Sequence, residues 1–139
     1  MTTDAMTVLL VGPDAALIEG LSQSIAALGH AALVAHSLHE AQEIAATQLP
    51  IVAVVEKSMA AESTAGTLGI ALAAGGALVL YHTSAHDPTI LLPYLQRAVL
   101  ADLTLPLERQ RLVALVQHVA ERVRATGRRR DTPPETAAR

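Results

Sequence analysis

Residues 49–59 read Leu-Pro-Ile-Val-Ala-Val-Val-Glu-Lys-Ser-Met, and this stretch decides the fold. After Pro50 come five apolar, mostly β-branched residues, a pattern typical of a central parallel strand that is buried on both faces. The strand ends at Glu56. In open α/β sheets the functional site lies outside the carboxyl ends of the strands, so Glu56 marks the position where any chemistry would occur. The alternative, which the spacing leaves open, is a solvated residue at the end of a strand.

The composition limits the kind of protein. A chain of 139 residues has room for one domain with a real core. It is 51% hydrophobic but has only two Tyr and no Phe or Trp, so Ala, Leu, Val and Ile must build that core and little is available to stack on bases. The absence of cysteine excludes disulfides, thiol catalysis and Cys-ligated metal sites.

The charge distribution bears on partners and location. The net charge is -3, although residues 128–139 hold four Arg against Asp131 and Glu135. The rest of the chain is therefore acidic, which argues against a nucleic-acid-binding face. The start has no basic segment followed by an apolar run, and no apolar window is long enough to span a membrane. We expect a soluble, unsecreted cytoplasmic protein that does not bind a membrane.

Hydrophobic runs and turn residues divide the chain into alternating elements. Apolar runs predict four further strands, at Thr7–Val11, Ala31–Ala35, 77–81 and 102–105. Capping residues and helical spacing predict five helices, at 15–28, 37–48, 65–74, 93–99 and 108–125. Residues 57–64 are predicted to be a loop. Residues 1–126 form the domain in this interpretation, and 127–139 form a disordered tail because they contain hardly any apolar side chain.

This alternation predicts the topology. The connections are short enough only for right-handed crossovers, which give a parallel sheet with helices on both faces. The expected fold is a flavodoxin-like, doubly wound, three-layer α/β sandwich with strand order 2-1-3-4-5.

The order of these motifs resembles the receiver domain of two-component response regulators over about residues 7–123. Several local features agree: Gly29-His30-Ala31 and Ala35-His36-Ser37 in the second-strand region, Pro50 before the third strand, Met59 three residues after its terminal acid, Thr83-Ser84 after the fourth strand, and Leu105-Pro106 where the family has Lys-Pro.

What the resemblance implies about chemistry is mostly absent here. The family uses a phosphoryl-accepting Asp, two acids that hold Mg²⁺, a Thr or Ser, and a Lys; acids serve because Mg²⁺ requires oxygen ligands. The corresponding residues are Glu56 for the acceptor, Gly12 and Pro13 for the acid pair, Thr83 for the Thr or Ser, and Leu105 for the Lys. Asp14 lies one position late, where its side chain would point elsewhere. The resemblance therefore implies a degenerate receiver with no metal, no cofactor and no enzymatic activity.

Glu56 has two interpretations within this resemblance. In the first, its longer side chain permanently mimics the phosphorylated acceptor. In the second, the residue has changed by neutral drift and has no function. In the first interpretation the carboxylate is ionised and accepts hydrogen bonds from the Thr83 and Ser84 hydroxyls and from N–H groups after Lys57. Lys57 itself is expected to point to the other side, because side chains alternate along an extended strand. The family's aromatic switch position is Asp102 here.

Other constellations and functions stay open. His82 and His86 with Asp87 could be metal ligands, but without a third ligand at fixed spacing we interpret them as surface histidines. The favoured function is a pseudo-receiver module that docks on a histidine kinase, another regulator or itself, with no small-molecule substrate. The alternatives are a phosphorylatable receiver with atypical residues and an unrelated flavodoxin-like domain with a deep apolar pocket at the switch point. Charged candidates for a homodimer interface are Arg97, Asp102, Glu108, Arg111 and Arg122.

Overall fold

The structure, a computed structural model, describes residues 6–84, 87 and 89–131, with residues 127–131 described by their backbone alone. Within these residues five strands form one parallel sheet in the order β2-β1-β3-β4-β5, as predicted. The strands are β1 (Thr7–Val11), β2 (Ala31–Ala35), β3 (Val52–Glu56), β4 (Leu78–His82) and β5 (Val99–Thr104). The flavodoxin-like fold is confirmed.

Helices cover both faces of this sheet. The described residues form α1 (Ala15–Ala27), α2 (Leu38–Gln48), α3 (Lys57–Glu62), α4 (Thr64–Ala73), α5 (Pro93–Ala98) and α6 (Arg109–Asp131). Apolar side chains of α1 and α6 pack on one face, which we call the α1/α6 face. Side chains of α2, α3, α4 and α5 pack on the other, which we call the α3/α5 face. None of the described helices is both long enough and apolar enough to cross a membrane.

The central strands are buried on both sides, as their continuous apolar runs predict. Residues 8–11 of β1 and 52–55 of β3 are fully inaccessible to solvent. Alternation sends Leu9 and Val55 to the α3/α5 face, and Leu10 and Val54 to the α1/α6 face. The carboxyl ends of β1, β3 and β4 therefore stand level in the middle of the sheet, where any site would lie.

Three predicted boundaries are wrong for local physical reasons. The predicted loop 57–64 contains α3, so the described helices number six and not five. Strand β5 begins at Val99 instead of 102, because α5 ends at Ala98 and the apolar residues that follow pair with β4. Helix α6 continues to Asp131, because the arginines that follow Gly127 are good helix formers and no proline intervenes before Pro133. The predicted tail is thus helical from 127 to 131, and 132–139 lie outside the described residues.

Candidate functional site

Glu56 ends β3 and caps the helix that follows it. Its Oε1 accepts a hydrogen bond from the backbone N–H of Met59 at 2.9 Å and one from the Ser58 hydroxyl at 2.5 Å. The backbone of Glu56 is extended, as an N-cap residue requires. The predicted N–H donor after Lys57 is therefore present. Thr83 is exposed, and in the described part of the chain no hydrogen bond joins it to Glu56, so the predicted inward hold on Thr83 is absent.

A buried tyrosine lies beside Glu56 on β4. Tyr81 is the register partner of Glu56 and is fully buried among the core side chains of the α1/α6 face. Its hydroxyl has no hydrogen-bond partner among the described residues. Burial raises the pKa of Tyr81 well above its usual range, and the negative charges of Glu56 and Asp14 raise it further. The phenol therefore stays neutral and protonated at physiological pH.

The Tyr81 hydroxyl fills the space beside Gly12, the residue that the resemblance places at the first position of the acid pair. Gly12 follows β1 directly, and a Cβ built on Gly12 would overlap the Tyr81 hydroxyl and contact its ring and Ile18. Glycine at position 12 therefore accommodates the tyrosine, and a side chain at 12 would displace it. Sequence reasoning identified Gly12 but missed Tyr81, because only the register of β1, β3 and β4 brings the two together.

Asp14 has a structural role. Its Oδ1 accepts a hydrogen bond from the N–H of Leu17 at 3.1 Å, which caps α1, and the residue is exposed. Gly12 and Pro13 carry no side-chain oxygen. Among the described residues no group of three or more His, Cys, Asp or Glu side chains is arranged to hold a metal. Mg²⁺ requires several oxygen ligands, and the side chains of Gly12 and Pro13 supply none.

Leu105, which the resemblance places at the Lys position, belongs to the core. It is fully buried on the α1/α6 face, in the same cluster as Tyr81, Leu103 and Leu112. A buried aliphatic side chain offers no charge to an anion at the carboxyl edge. Together with Gly12 and Tyr81, it makes the α1/α6 side of this edge apolar.

The α3/α5 side of the same edge is polar. Lys57 Nζ lies 2.9 Å from Asp102 Oδ2, and His82 Nδ1 lies 3.2 Å from Asp102 Oδ1. The other ring nitrogen of His82 lies 3.0 Å from the Thr104 hydroxyl. Because the carboxylate can only accept, Nδ1 carries a proton, and a neutral ring then accepts from Thr104 at Nε2. We call these four residues the polar relay.

Two sequence interpretations fail at the polar relay. Lys57 was expected to point away from the site, but β3 ends at Glu56 and Lys57 begins α3, so the alternation of an extended strand does not continue. Its side chain is only 15% exposed and reaches across to β5. His82 was interpreted as a surface histidine, yet its side chain is also only 15% exposed. His86 lies outside the described residues.

The charged interface candidates divide into two groups. Asp102 is engaged in the polar relay, and Glu108 accepts from the Thr104 N–H and from Arg111, both at 2.7 Å. The hydrogen bond from the Thr104 N–H is the main cause, and the one from Arg111 the second, of a Glu108 pKa below its usual value. Arg97 is exposed and lies over the Tyr94 ring, 5.4 Å from its centroid. Arg122 is exposed at the opposite end of the sheet. Of the five candidates, Arg97 and Arg122 are those without an ion pair among the described residues.

Comparisons with known proteins find the fold but no sequence relative. No family model matches the sequence, and no curated protein matches it. Many structural neighbours are response-regulator receiver domains. The receiver domain protein (CheY-like) of Methanospirillum hungatei JF-1 superposes with a TM-score of 0.66 and 14% identity, over 85% of this chain and 95% of that one.

Two other neighbours agree. A two-component response regulator from Clostridium difficile gives a TM-score of 0.67 at 18% identity, over 85% of this chain and 98% of that one. The receiver domain of the sensor histidine kinase PA1611 from Pseudomonas aeruginosa PAO1 gives 0.67 at 14% identity, over 84% and 98%. That structure contains a magnesium ion coordinated in the active site cleft. At these identities the similarity concerns the fold alone.

Proposed function

We propose that this chain is a pseudo-receiver: a cytoplasmic signalling module that binds a protein partner and does not take up a phosphoryl group by the Asp and Mg²⁺ mechanism. The observation that carries the proposal is the Tyr81 hydroxyl, which occupies the space that a side chain at Gly12 would need. A receiver that binds Mg²⁺ needs an acid in this region. Here a neutral, buried phenol is packed into it.

The neighbouring positions support the same proposal. Leu105 gives the core an apolar side chain where a cation would meet a phosphoryl group. Glu56 already accepts two hydrogen bonds on one oxygen and is committed to the start of α3. These residues have structural functions that phosphoryl transfer would disturb, and none of them is placed to catalyse it.

In this proposal Glu56 supplies a permanent negative charge in place of a transient phosphoryl group. By capping α3, it fixes the backbone at Lys57, the first residue of that helix. Lys57 in turn pairs with Asp102 on the edge strand β5. The charge of Glu56 is thus connected to Asp102 on β5 through Lys57, the first residue of α3. This connection involves no rotating aromatic side chain.

The surface around α5 and β5 is the proposed place of partner binding. Large apolar side chains are exposed there: Ile90, Leu92, Tyr94 and Leu107. Arg97 lies among them and has no carboxylate partner within the described residues. A second copy, a histidine kinase or another regulator with an apolar surface and an acidic rim would complement this face. Exposed charge pairs contribute only about 0–1 kcal/mol each, so the apolar side chains must supply most of the affinity.

Acetyl phosphate tests the absence of phosphoryl transfer. After incubation of the intact chain with acetyl phosphate and Mg²⁺, we expect no phosphoryl mass increment. A receiver domain that has the acid pair, the Asp acceptor and the Lys serves as the positive control under the same conditions. A phosphoryl increment on Glu56 would refute the pseudo-receiver and establish the alternative, a phosphorylatable receiver with atypical residues.

Sedimentation tests self-association separately. We expect a concentration-dependent dimer that Leu107→Asp weakens, because this exposed side chain would place a charge in the apolar contact. The control is Leu72→Asp, an equally exposed apolar residue on α4, outside the proposed surface. A monomer at all accessible concentrations would leave only a different protein as the partner and would remove the homodimer from the proposal.

A further inference from the structure

A groove lies at the end of the sheet opposite to Glu56. It is formed by the turns that precede β3 and β4, by the edge strand β5 and by one side of α6, and it has a volume of about 500 Å³. This volume falls within the range of small-molecule sites in proteins. The lining residues are Leu49, Pro50, Ile51, Ala74, Gly75, Gly76, Ala77, Leu100, Val119, Arg122, Val123 and Thr126.

Most of this lining is aliphatic, and much of it is in contact with water. Leu49 is 65% exposed, Leu100 is 52% exposed and Val123 is 38% exposed, whereas Ala74 and Val119 form the buried floor. Covering such side chains with an apolar molecule is favourable because it removes their surface from water. The lining therefore fits a ligand with a hydrocarbon body.

Among the residues whose side chains the structure describes, Arg122 is the only charged one in this lining. Among the described residues its guanidinium has no ion pair, and the positions three and four residues away on α6 are His118, Val119, Ala125 and Thr126, none of which carries a carboxylate. The positive charge beside the groove is thus uncompensated within its helix. It complements an anionic head group.

The backbone of the groove adds no further anion donor. In the turn before β4, the Gly76 N–H donates to the Ala71 carbonyl at 2.7 Å and the Ala77 N–H donates to the Ala74 carbonyl at 3.2 Å. These amides are already satisfied, so a head group must be recognised by side chains, and Arg122 is the charged donor among those described. One guanidinium matches one carboxylate through two parallel hydrogen bonds.

We propose that this groove binds a small amphipathic organic anion, with its carboxylate at Arg122 and its aliphatic body between Leu49 and Leu100. The site is separate from the carboxyl edge of the sheet and does not depend on the proposed pseudo-receiver function. It also differs from the pocket considered from the sequence, which would lie at the switch point beside Glu56. The molecule is a ligand here and not a substrate, since the lining residues that the structure describes include no acid, imidazole, amine or thiol that would react with it.

An NMR titration of the intact, ¹⁵N-labelled chain with decanoate tests the site. Below the micelle concentration of decanoate, we expect saturable shifts of the Gly75, Gly76 and Ala77 amide signals. Decanol, which has the same chain length and no charge, should bind more weakly. Arg122→Met, which keeps the length of the side chain and removes the charge, should lower the affinity for decanoate about tenfold and leave that for decanol unchanged.

Arg109→Met is the matched control, because Arg109 is an exposed arginine on the same helix and does not line the groove. It should bind decanoate like the parent. The proposal is overturned if decanoate produces no saturable shift at these amides, or if the shifts saturate but Arg122→Met binds as tightly as the parent. Neither result would affect the acetyl phosphate experiment, which concerns the other end of the sheet.

Discussion

The two sides of the carboxyl edge of the sheet differ in polarity. On the α1/α6 side, the Tyr81 and Leu105 side chains pack in one apolar cluster beside Gly12, and the buried hydroxyl of Tyr81 has no partner among the described residues. On the α3/α5 side, the polar relay connects Lys57 to Asp102 and onward to His82 and Thr104. Successive residues of one strand produce this difference, since Tyr81 and His82 point to opposite faces.

The difference separates an apolar half of this edge from a half that carries paired charges. The Tyr81 and Leu105 side chains belong to the core. The side next to the exposed edge strand keeps charges that are paired with one another. In the proposed pseudo-receiver, the charge of Glu56 would therefore act on the surface through α3 and the polar relay, and not through the core on the other side.

The largest expected effect is that of placing an acid at position 12. Gly12→Asp would force a charged side chain into the space of the Tyr81 hydroxyl. Overpacking a core costs about 1–3 kcal/mol, and the buried charge adds to that, so we expect a loss of about 3 kcal/mol in the free energy of unfolding. Urea denaturation measures it.

Position 12 can be separated from a general intolerance of substitution. Gly20→Asp is the control, since a Cβ at Gly20 meets nothing within 4 Å. In a double-mutant cycle, Tyr81→Leu should recover part of the Gly12→Asp loss, because it removes the overlapping atoms. Strict additivity of the two substitutions would show that Tyr81 does not fill this position.

This side of the edge also shows how far the sequence could be interpreted. The apolar runs predicted β1, β3 and β4. They also predicted that Gly12 and Glu56 both lie at the carboxyl edge of the sheet. The overlap between a side chain at position 12 and the Tyr81 hydroxyl involves two residues that are 69 positions apart in the chain. They meet only through the strand register. Helix α3 was missed because residues 57–62 lack a clear apolar period, and its capping acid was considered only as a functional group.

The second expected effect concerns the neutral Tyr81 phenol. Tyr81→Phe removes a buried hydroxyl without a partner, so we expect the variant to be more stable by about 1 kcal/mol at neutral pH. Because the pKa of Tyr81 is raised in the folded state, the unfolded chain releases its proton first as the pH increases. The contribution of Tyr81 to stability is therefore fully present below its unfolded pKa of about 10 and is lost as the pH rises above it, by up to about 1.4 kcal/mol per pH unit.

Comparison of the parent with Tyr81→Phe between neutral and alkaline pH tests both statements. The stability difference should widen above about pH 10, the unfolded pKa of tyrosine. Tyr94→Phe serves as the control, because Tyr94 is 71% exposed and should follow the parent at every pH. A loss of stability in Tyr81→Phe at neutral pH would mean that the Tyr81 hydroxyl has a hydrogen-bond partner, and its description as buried and unpaired would be wrong.

On the polar side, Asp102 is expected to have a smaller effect. Asp102→Ala leaves the Lys57 ammonium and the His82 ring without their shared acceptor. Both side chains are 15% exposed but Asp102 itself is 41% exposed, so water compensates in part and we expect a loss of about 1 kcal/mol. Glu121→Ala, an exposed acid on α6, should have almost no effect. Equal stability of the two variants would mean that the polar relay is a surface arrangement without energetic weight.

The smallest expected change in stability is that of Glu56→Gln, which distinguishes a signalling charge from a simple cap. Glu56→Gln keeps an oxygen that can accept from the Met59 N–H, so we expect a loss of about 0.5 kcal/mol; Glu56→Ala removes the cap and should cost about 1 kcal/mol. Asp14→Ala, which removes the cap of α1, is the matched control for a lost cap outside the polar relay.

If the charge of Glu56 acts through Lys57, Glu56→Gln should weaken self-association or partner binding more than Asp14→Ala does. In the Asp102→Ala background this difference should disappear, because Glu56→Gln and Asp102→Ala act on one connection. Self-association that is equally strong in the parent, Glu56→Gln and Glu56→Ala would show that Glu56 only caps α3, and the permanent-charge part of the proposal would then be dropped.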